Sequence, residues 1–337
     1  MKNIIHNLSY KFNFIKIYFY LNLIPLKIMF DFTIKTEIEF IQKCYYKIYK
    51  MFDCSIYRMS QDTISYKKNV IYFTNHRTAS DYFIDLILVN NTGTFISRYL
   101  TVIAIPGVNL VKFVTKMIEF FHRKKGKTDI NNFENMLKRI QDTDRNILIY
   151  PEGTRRHGCD YACDLKKGSI YYSYKNDSPI QFVITYGKDN IFNEKKMIAI
   201  PNINAFVYYS KVYDQDYEKY KSIEEWYQHI NSEWKTFFNT IYAKEHKVEE
   251  AFEKIDPSIV YDDNGKRRPI NKKKLYIARV AIVSISILCI SKLANFISTT
   301  TFFRKSPLYF YFYSQYLLPE LETRQIIILL LYFLVVL

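Results

Sequence analysis

Glycine and alanine are scarce in this chain, with eight glycines in 337 residues, while Lys, Asn, Ile, Tyr and Phe abound. Such a bias follows AT-rich coding as much as selection, so no single Lys or Asn carries weight by type alone. Cysteine is sparse as well. Five residues form no disulfide framework in a chain of this size, and the odd number points to a reducing compartment. Cys159 and Cys163 lie close to His157, yet the spacing is loose and no second Cys/His pair follows, so no metal site is expected. Acidic residues are outnumbered: 48 Lys and Arg face 33 Asp and Glu, a formal net charge of +15 that favours anionic partners. Nucleic acid, acidic membrane surface and phosphorylated substrates all qualify. No Gly/Arg tract, zinc finger or recognition-helix pattern accompanies the charge, so nucleic acid is not the expected partner, and the apolar segments put anionic membrane lipid first.

A clean membrane-spanning run is also missing at the N-terminus. The stretch "FNFIKIYFYLNLIPLKIMF" is broken by Lys16, Asn22, Pro25 and Lys27, and so falls short of the ~18 apolar residues that mark a transmembrane helix. It has no small-residue cleavage site after a continuous apolar core, so a removable signal peptide is not expected. An interfacial or re-entrant helix with snorkelling lysines fits residues 1–60.

What is present between residues 61 and 250 is an alternation of short apolar runs with longer periodic stretches, the pattern of an α/β domain. "NVIYFT", "NILIYP" and "IQFVITY" read as buried strands. "NNFENMLKRIQ" carries Phe133, Met136, Leu137 and Ile140 at helical spacing and reads as a helix packed on the sheet. Residues 251–274 turn polar and basic, with Pro and Gly, as a linker does. Residues 275–337 hold two apolar cores, one between Arg279 and Lys292 and one at "IIILLLYFLVVL". Each is about a dozen residues, below the usual span of ~20, so the tail is expected to be membrane-associated with the number of crossings open. No internal repeat is found. The expected fold is therefore α/β, a central, mostly buried sheet flanked by helices, with membrane-associated N- and C-terminal segments.

Four short elements carry chemistry. In "YFTNHRTASDYF", His76 and Asp81 lie five positions apart where a strand gives way to a helix. A turn there brings the carboxylate beside the imidazole, fixing its tautomer and supporting its charged form. No G-x-S-x-G serine elbow occurs, so an acyl-serine of that type is not indicated. In "ILIYPEGTRR", Pro151 stops strand pairing, Gly153 permits a sharp turn, and Thr154 and Arg155 offer donors, with Glu152 placed to orient an arginine or bond a hydroxyl. A phosphate seat and a plain basic turn both fit that stretch. In "MIEFFHRKKGKTD", Gly126, Lys127 and Thr128 imitate the end of a P-loop, but Phe121 stands where a glycine is required, so nucleotide binding of that kind is rejected. In "DLKKGSIYYSY", Lys166, Lys167 and Gly168 are either a solvated basic turn or a phosphate or CoA contact.

In this order, the N-H-x4-D, F-F-H-R, P-E-G-T-R and K-G stretches resemble the glycerolipid acyltransferase family, which includes the 1-acylglycerol-3-phosphate acyltransferases. "NHRTASD", "IPGVNLV", "FFHRKKGKTDINNFENML" and "IYPEGTR" look most like its lysocardiolipin branch. The resemblance implies that His76 is the base and Asp81 its partner, and that Arg123 with Glu152, Gly153, Thr154 and Arg155 shapes the acceptor's phosphate site. It implies acyl-CoA as co-substrate, with no cofactor and no metal, and a lysophospholipid as acceptor. Lysophosphatidic acid leads, with another lysophospholipid or glycerol 3-phosphate as alternatives. The family's later proline motif is only loosely matched, by Pro179. A catalytically silent membrane tether is the non-enzyme alternative, but a tether needs none of His76, Asp81, Arg123 and Glu152. Lys266, Arg267, Arg268, Lys272, Lys273 and Lys274 precede the first C-terminal apolar segment. Basic flanks of that kind stay cytoplasmic, so the catalytic domain is expected on the cytosolic face of a membrane, endoplasmic reticulum-like in a eukaryotic cell. Sequons at Asn7, Asn90 and Asn176 allow a test.

Overall fold

The computed structural model describes residues 2–99, 101, 104–121, 123–124, 127–128, 130–143, 145–258 and 270–299. The second apolar core of the tail and Lys266, Arg267 and Arg268 lie outside them. In chain order the elements are α1 (Lys2–Met29), α2 (Glu37–Phe52), β1 (Cys54–Arg58), β2 (Ile71–Thr74), α3 (Asp81–Leu88), β3 (Gly93–Arg98), α4 (Gly107–Val114), β4 (Ile118–Phe121), β5 (Arg123–Lys124), β6 (Lys127–Thr128), α5 (Ile130–Gln141), β7 (Asn146–Ile149), α6 (Lys167–Lys175), β8 (Ile180–Tyr186), β9 (Ile203–Tyr213), α7 (Ile223–Tyr242), β10 (Glu253–Lys254) and α8 (Lys272–Thr299).

Among the described residues, eight strands form one sheet in the order β10-β1-β9-β8-β2-β7-β3-β4. Its centre is parallel: β2 lies between β7 and β8, with Ile71 opposite both Ile147 and Ile180. The strands β2 and β7 are buried at every residue, as parallel strands covered on both faces must be. Strand β9 returns antiparallel to β8. On one face, Ile71, Phe73, Ile147 and Phe182 form a continuous core with Met136, Leu137 and Ile140 of α5, Ile170 of α6, and Trp226, Ile230, Trp234 and Phe238 of α7. The other face is covered by helices too: Phe95 of β3 meets Tyr82 of α3 edge-on at 4.2 Å, and Phe83 of α3 packs against Tyr45 and Phe52 of α2. Helix α2 starts on a capping box, in which Thr36 and Glu39 satisfy each other's backbone N–H groups.

Two sequence expectations change. Residues 1–60 are not a separate segment: β1 is a strand of the central sheet, paired in parallel with β9, and residues 1–270 form one compact unit. The expected linker likewise contributes β10, antiparallel to β1. Asn22, which interrupts the apolar run, is 1% exposed and does structural work. Its side chain donates to the Tyr18 carbonyl and accepts from the Gly107 N–H, both at 2.9 Å. A Cβ at Gly107 would stand 2.8 Å from the Leu21 carbonyl oxygen, so the close approach of α1 and α4 needs glycine there. Residues 271–337 form a second unit, whose described part is α8. No helix among the described residues is long and apolar enough to cross a membrane.

Candidate active site

Ligands of open α/β sheets gather outside the carboxyl ends of the strands. Here the carboxyl ends of three adjacent parallel strands deliver the chemistry. Strand β2 leads into Asn75 and His76, β7 into Pro151 to Arg156, and β8 into Gly187 and Lys188. The loop after β2 is tied down by Asn75, whose amide donates to the Thr185 carbonyl at 2.9 Å and accepts from the Thr185 N–H at 3.0 Å. It is tied to the loop after β7 by the Arg156 N–H, which donates to the His76 carbonyl at 2.7 Å.

The turn expected between His76 and Asp81 is present. His76 Nδ1 lies 2.9 Å from Asp81 Oδ2. The same carboxylate oxygen accepts from the backbone N–H of Arg77 and, at 3.0 Å, of Thr78. Asp81 is wholly buried, whereas the His76 side chain keeps 18% of its surface exposed. Burial pushes the Asp81 carboxyl up, but the Lys188 ammonium, the His76 bond and the Arg77 N–H override it and hold it below its ordinary value. An ionised carboxylate only accepts hydrogen bonds, so His76 Nδ1 is the donor and Nε2 carries the lone pair. Burial lowers the His76 pKa below its ordinary 6.5, against the opposing pull of Asp81. The imidazole is therefore neutral and basic at pH 7. Its face stacks on Tyr150, with ring centroids 3.9 Å apart and planes at 1°.

Glu152, Gly153 and Thr154 of the P-E-G-T-R turn line an open cavity of about 540 Å³ together with Arg98, Arg156, Cys163, Lys166, and Lys235 paired with Asp164 at 2.6 Å. Gly153 adopts φ +73°, and a Cβ there would press on Lys166 Cγ at 3.1 Å. Glu152 is buried. Its Oε1 accepts from the Cys163 N–H at 3.4 Å and its Oε2 has no hydrogen-bond partner among the described residues, while burial pushes its pKa up. Thr154 is exposed and lines the cavity. Arg155 is directed elsewhere: it pairs with Glu194, whose other oxygen accepts from the Ala79 N–H at 2.9 Å. Arg156 and Arg98, which sequence reasoning passed over, are the arginines that line the cavity.

The K-G stretch divides. Lys166 faces the cavity, whereas Lys167 bonds Glu224 of α7 at 2.9 Å and lies over the Tyr227 ring, and Gly168 approaches the Phe133 ring. The backbone of Arg123 pairs with Thr128 in a short ribbon, and its side chain lies outside the described residues. Cys159 and Cys163 are free thiols, and no group of three or more metal-ligating side chains occurs among the described residues.

Sequence reasoning also missed the groups behind the dyad. Lys188 reaches both oxygens of Asp85, at 2.9 and 3.0 Å, and lies 3.5 Å from Asp81 Oδ1. Asp85 accepts from the Tyr150 hydroxyl at 3.0 Å. The available signal was Asp85 at i+4 from Asp81, which puts both carboxylates on one helix face.

No curated protein matches the chain by sequence. Among solved structures, the crystal structure of the 1-acyl-sn-glycerophosphate (LPA) acyltransferase PlsC from Thermotoga maritima is similar, with a TM-score of 0.58 at 20% identity over 73% of this chain and 100% of that one. That likeness is one of fold. The stretch from Ile56 to Tyr186, which holds the His76–Asp81 pair and the P-E-G-T-R turn, matches the family model described as Acyltransferase.

Proposed function

We propose that the protein transfers a fatty acyl group from acyl-CoA to the free hydroxyl of a lysophospholipid, with lysophosphatidic acid as acceptor and phosphatidic acid as product. The observation that carries this reading is the His76–Asp81 pair, with Nδ1 held by a buried carboxylate and Nε2 left as base, on a loop bonded to the wall of a cavity in which four cationic side chains outnumber two carboxylates. His76 Nε2 removes the acceptor's hydroxyl proton as the oxygen attacks the thioester carbonyl. Asp81 stabilises the imidazolium that forms. The tetrahedral intermediate then collapses, the C–S bond breaks, and the CoA thiolate takes the proton from the imidazolium. The match of residues 56–186 to the Acyltransferase family model supports acyl transfer as the reaction class.

For the acceptor, Arg98, Arg156 and Lys166 offer charge-assisted bonds to a phosphate, and the free Glu152 Oε2 offers an acceptor to a hydroxyl beside it. Arg123 is proposed as a further phosphate contact. A monoester carries more charge than a diester, which favours lysophosphatidic acid. The catalytic domain is proposed to act at a membrane surface, on the side where acyl-CoA is supplied.

The test incubates membranes containing the protein with labelled acyl-CoA and lysophosphatidic acid, glycerol 3-phosphate, lysophosphatidylcholine or lysocardiolipin. Labelled phosphatidic acid above all other products is expected. Preference for a diester lysolipid would replace the acceptor assignment, and no transfer to any acceptor by the folded protein would overturn the reading. Arg156→Ala and Arg123→Ala should each raise the KM for the acceptor more than that for acyl-CoA.

A further inference from the structure

Two features fix His76, and they share one terminus. Its edge is held through Nδ1 by Asp81, and its face lies on Tyr150. Tyr150 donates its hydroxyl to Asp85, and Asp85 and Asp81 both face the ammonium of Lys188. Lys188, Asp81 and Asp85 are each 0% exposed. A buried ammonium is costly to desolvate, so one that serves no purpose is disfavoured in a core. We propose that Lys188 is a positioning residue for the His76 base, acting through Asp81 on the ring's tautomer and through Asp85 and Tyr150 on its orientation. The proposal rests on the acyl-transfer reading in using His76 as the base, but its first readout needs no turnover.

The local backbone is built for this placement. Gly187 adopts φ +85°, and a Cβ there would stand 2.8 Å from the Asn204 carbonyl oxygen. That turn ends β8 and sends the next side chain inward instead of to solvent, where a lysine ordinarily goes. Asp81 Oδ1 has no hydrogen-bond partner among the described residues, so the ammonium at 3.5 Å is the charge that compensates it. The Lys188–Asp85 ion pair thus turns its cationic end to Asp81.

Other charged and titratable groups face this cluster. Arg77 follows His76 and is bonded to Asp189 at 2.8 Å, Arg155 acts on the His76 ring, Glu152 lies on the loop after β7, and Tyr242 of α7 accepts from the Asn75 amide at 3.1 Å and lies under the Arg77 guanidinium. None of these makes a hydrogen bond or ion pair that joins both anchors of the ring. Removing the Lys188 charge acts in one direction on both members of the dyad. Asp81 loses the cation that favours its ionised form, and His76 loses a cation that disfavours its charged form, so both pKa values rise.

Lys188→Met alone strands two buried carboxylates and is expected to cost stability. Lys188→Met/Asp85→Asn restores charge balance, and so separates positioning from bulk electrostatic support. The full chain, solubilised in detergent and labelled with ¹⁵N-histidine, is titrated by NMR, with His76 assigned by its loss in His76→Gln. In the native protein the proton is expected on Nδ1. In the folded double variant the His76 midpoint should rise, the tautomer preference should weaken, and the acid limb of kcat should move up by about one pH unit. The kcat at pH 7 should fall ~10-fold with the KM for acyl-CoA within ~2-fold, the signature of an interaction made only in the transition state. A folded double variant with native midpoint, tautomer and kcat would overturn the proposal. Should the double variant not fold, Tyr150→Phe decides, because it keeps the ring stack and removes only the bond to Asp85: a several-fold loss of kcat at constant KM supports the proposal, and native kcat overturns it. Absence of acyl transfer in the native protein would refute the acyl-transfer reading, and the NMR titration would still decide the role of Lys188.

Discussion

At the scale of single residues, the site separates what spacing reveals from what only packing reveals. The contact between His76 and Asp81 was legible because five positions across a strand-to-helix turn bring an imidazole and a carboxylate together, the spacing that the proposed base and its partner need. Lys188 was not legible, since a lysine in a lysine-rich chain has no distinguishing signal until its burial is seen. Tyr150 read as the end of a strand, and only the structure shows its ring under the imidazole. Arg155 carried the motif but is paired with Glu194, and its neighbour Arg156 reaches the cavity. Because the proposed base would act in the transition state, His76→Ala should lower acyl transfer by at least ~100-fold in a folded protein. Asp81→Asn should be severely impaired as well, since an amide no longer enforces the tautomer. Burial lowers the His76 pKa, so the base stays deprotonated to lower pH than a free imidazole does. The acid limb of kcat/KM, which reports the free enzyme, is therefore expected to have its midpoint below 6.5. A midpoint at or above that value would contradict the assignment of His76 as the base in this setting.

Elements were legible where burial is uniform and illegible where it is mixed. The strands β2, β7 and β8 announced themselves as continuous apolar runs, and α5 as a 3.6-residue stripe. The strand β3, in "GTFISR", and the short β1 mix polar with apolar residues, β10 is the charged pair Glu253–Lys254, and their pairing depends on partners distant in the chain. The boundary expected at residue 60 failed for that reason. Pairing of Tyr57 with both Phe206 and Lys254 is a tertiary fact with no local signature. The turn after β8 illustrates how an element end can serve the site. Gly187→Ala would force a left-handed conformation on a residue with a Cβ and set that carbon against the Asn204 carbonyl. The strain is expected to cost at least ~1–3 kcal/mol, read as a lower urea midpoint at unchanged m. Because Lys188 is the next residue, kcat should fall with it, whereas the KM for acyl-CoA should hold.

At the scale of the whole molecule, the excess of positive charge and the outer face of α1 bear on the same question. Helix α1 buries Phe14, Ile17, Leu21 and Ile24 against the compact unit, which answers for one face. On another, Leu8, Phe12 and Ile15 follow the i, i+4, i+7 spacing of a single stripe and are 62%, 70% and 47% exposed. Lys11 and Lys16 are exposed beside them. A solvated helix gains nothing from such a stripe, whereas at a bilayer surface the apolar residues enter the headgroup boundary and the lysines reach anionic lipid. The net charge of +15 adds a long-range attraction that salt weakens. Two contributions with different responses should therefore be separable by flotation with vesicles of mixed phosphatidylcholine and phosphatidylserine. Raising ionic strength should reduce binding by the native chain without abolishing it, because apolar insertion persists. Leu8→Glu/Phe12→Glu removes two side chains worth roughly 1.5–3 kcal/mol each when buried, so vesicle partitioning should fall at least ~10-fold, and the remainder should become fully salt-sensitive. Acyl transfer to detergent-dispersed acceptor should be retained, since both side chains are exposed on α1 and leave the core unchanged when replaced. Undiminished flotation of the folded double variant would take α1 out of membrane attachment and leave that role to other parts of the chain.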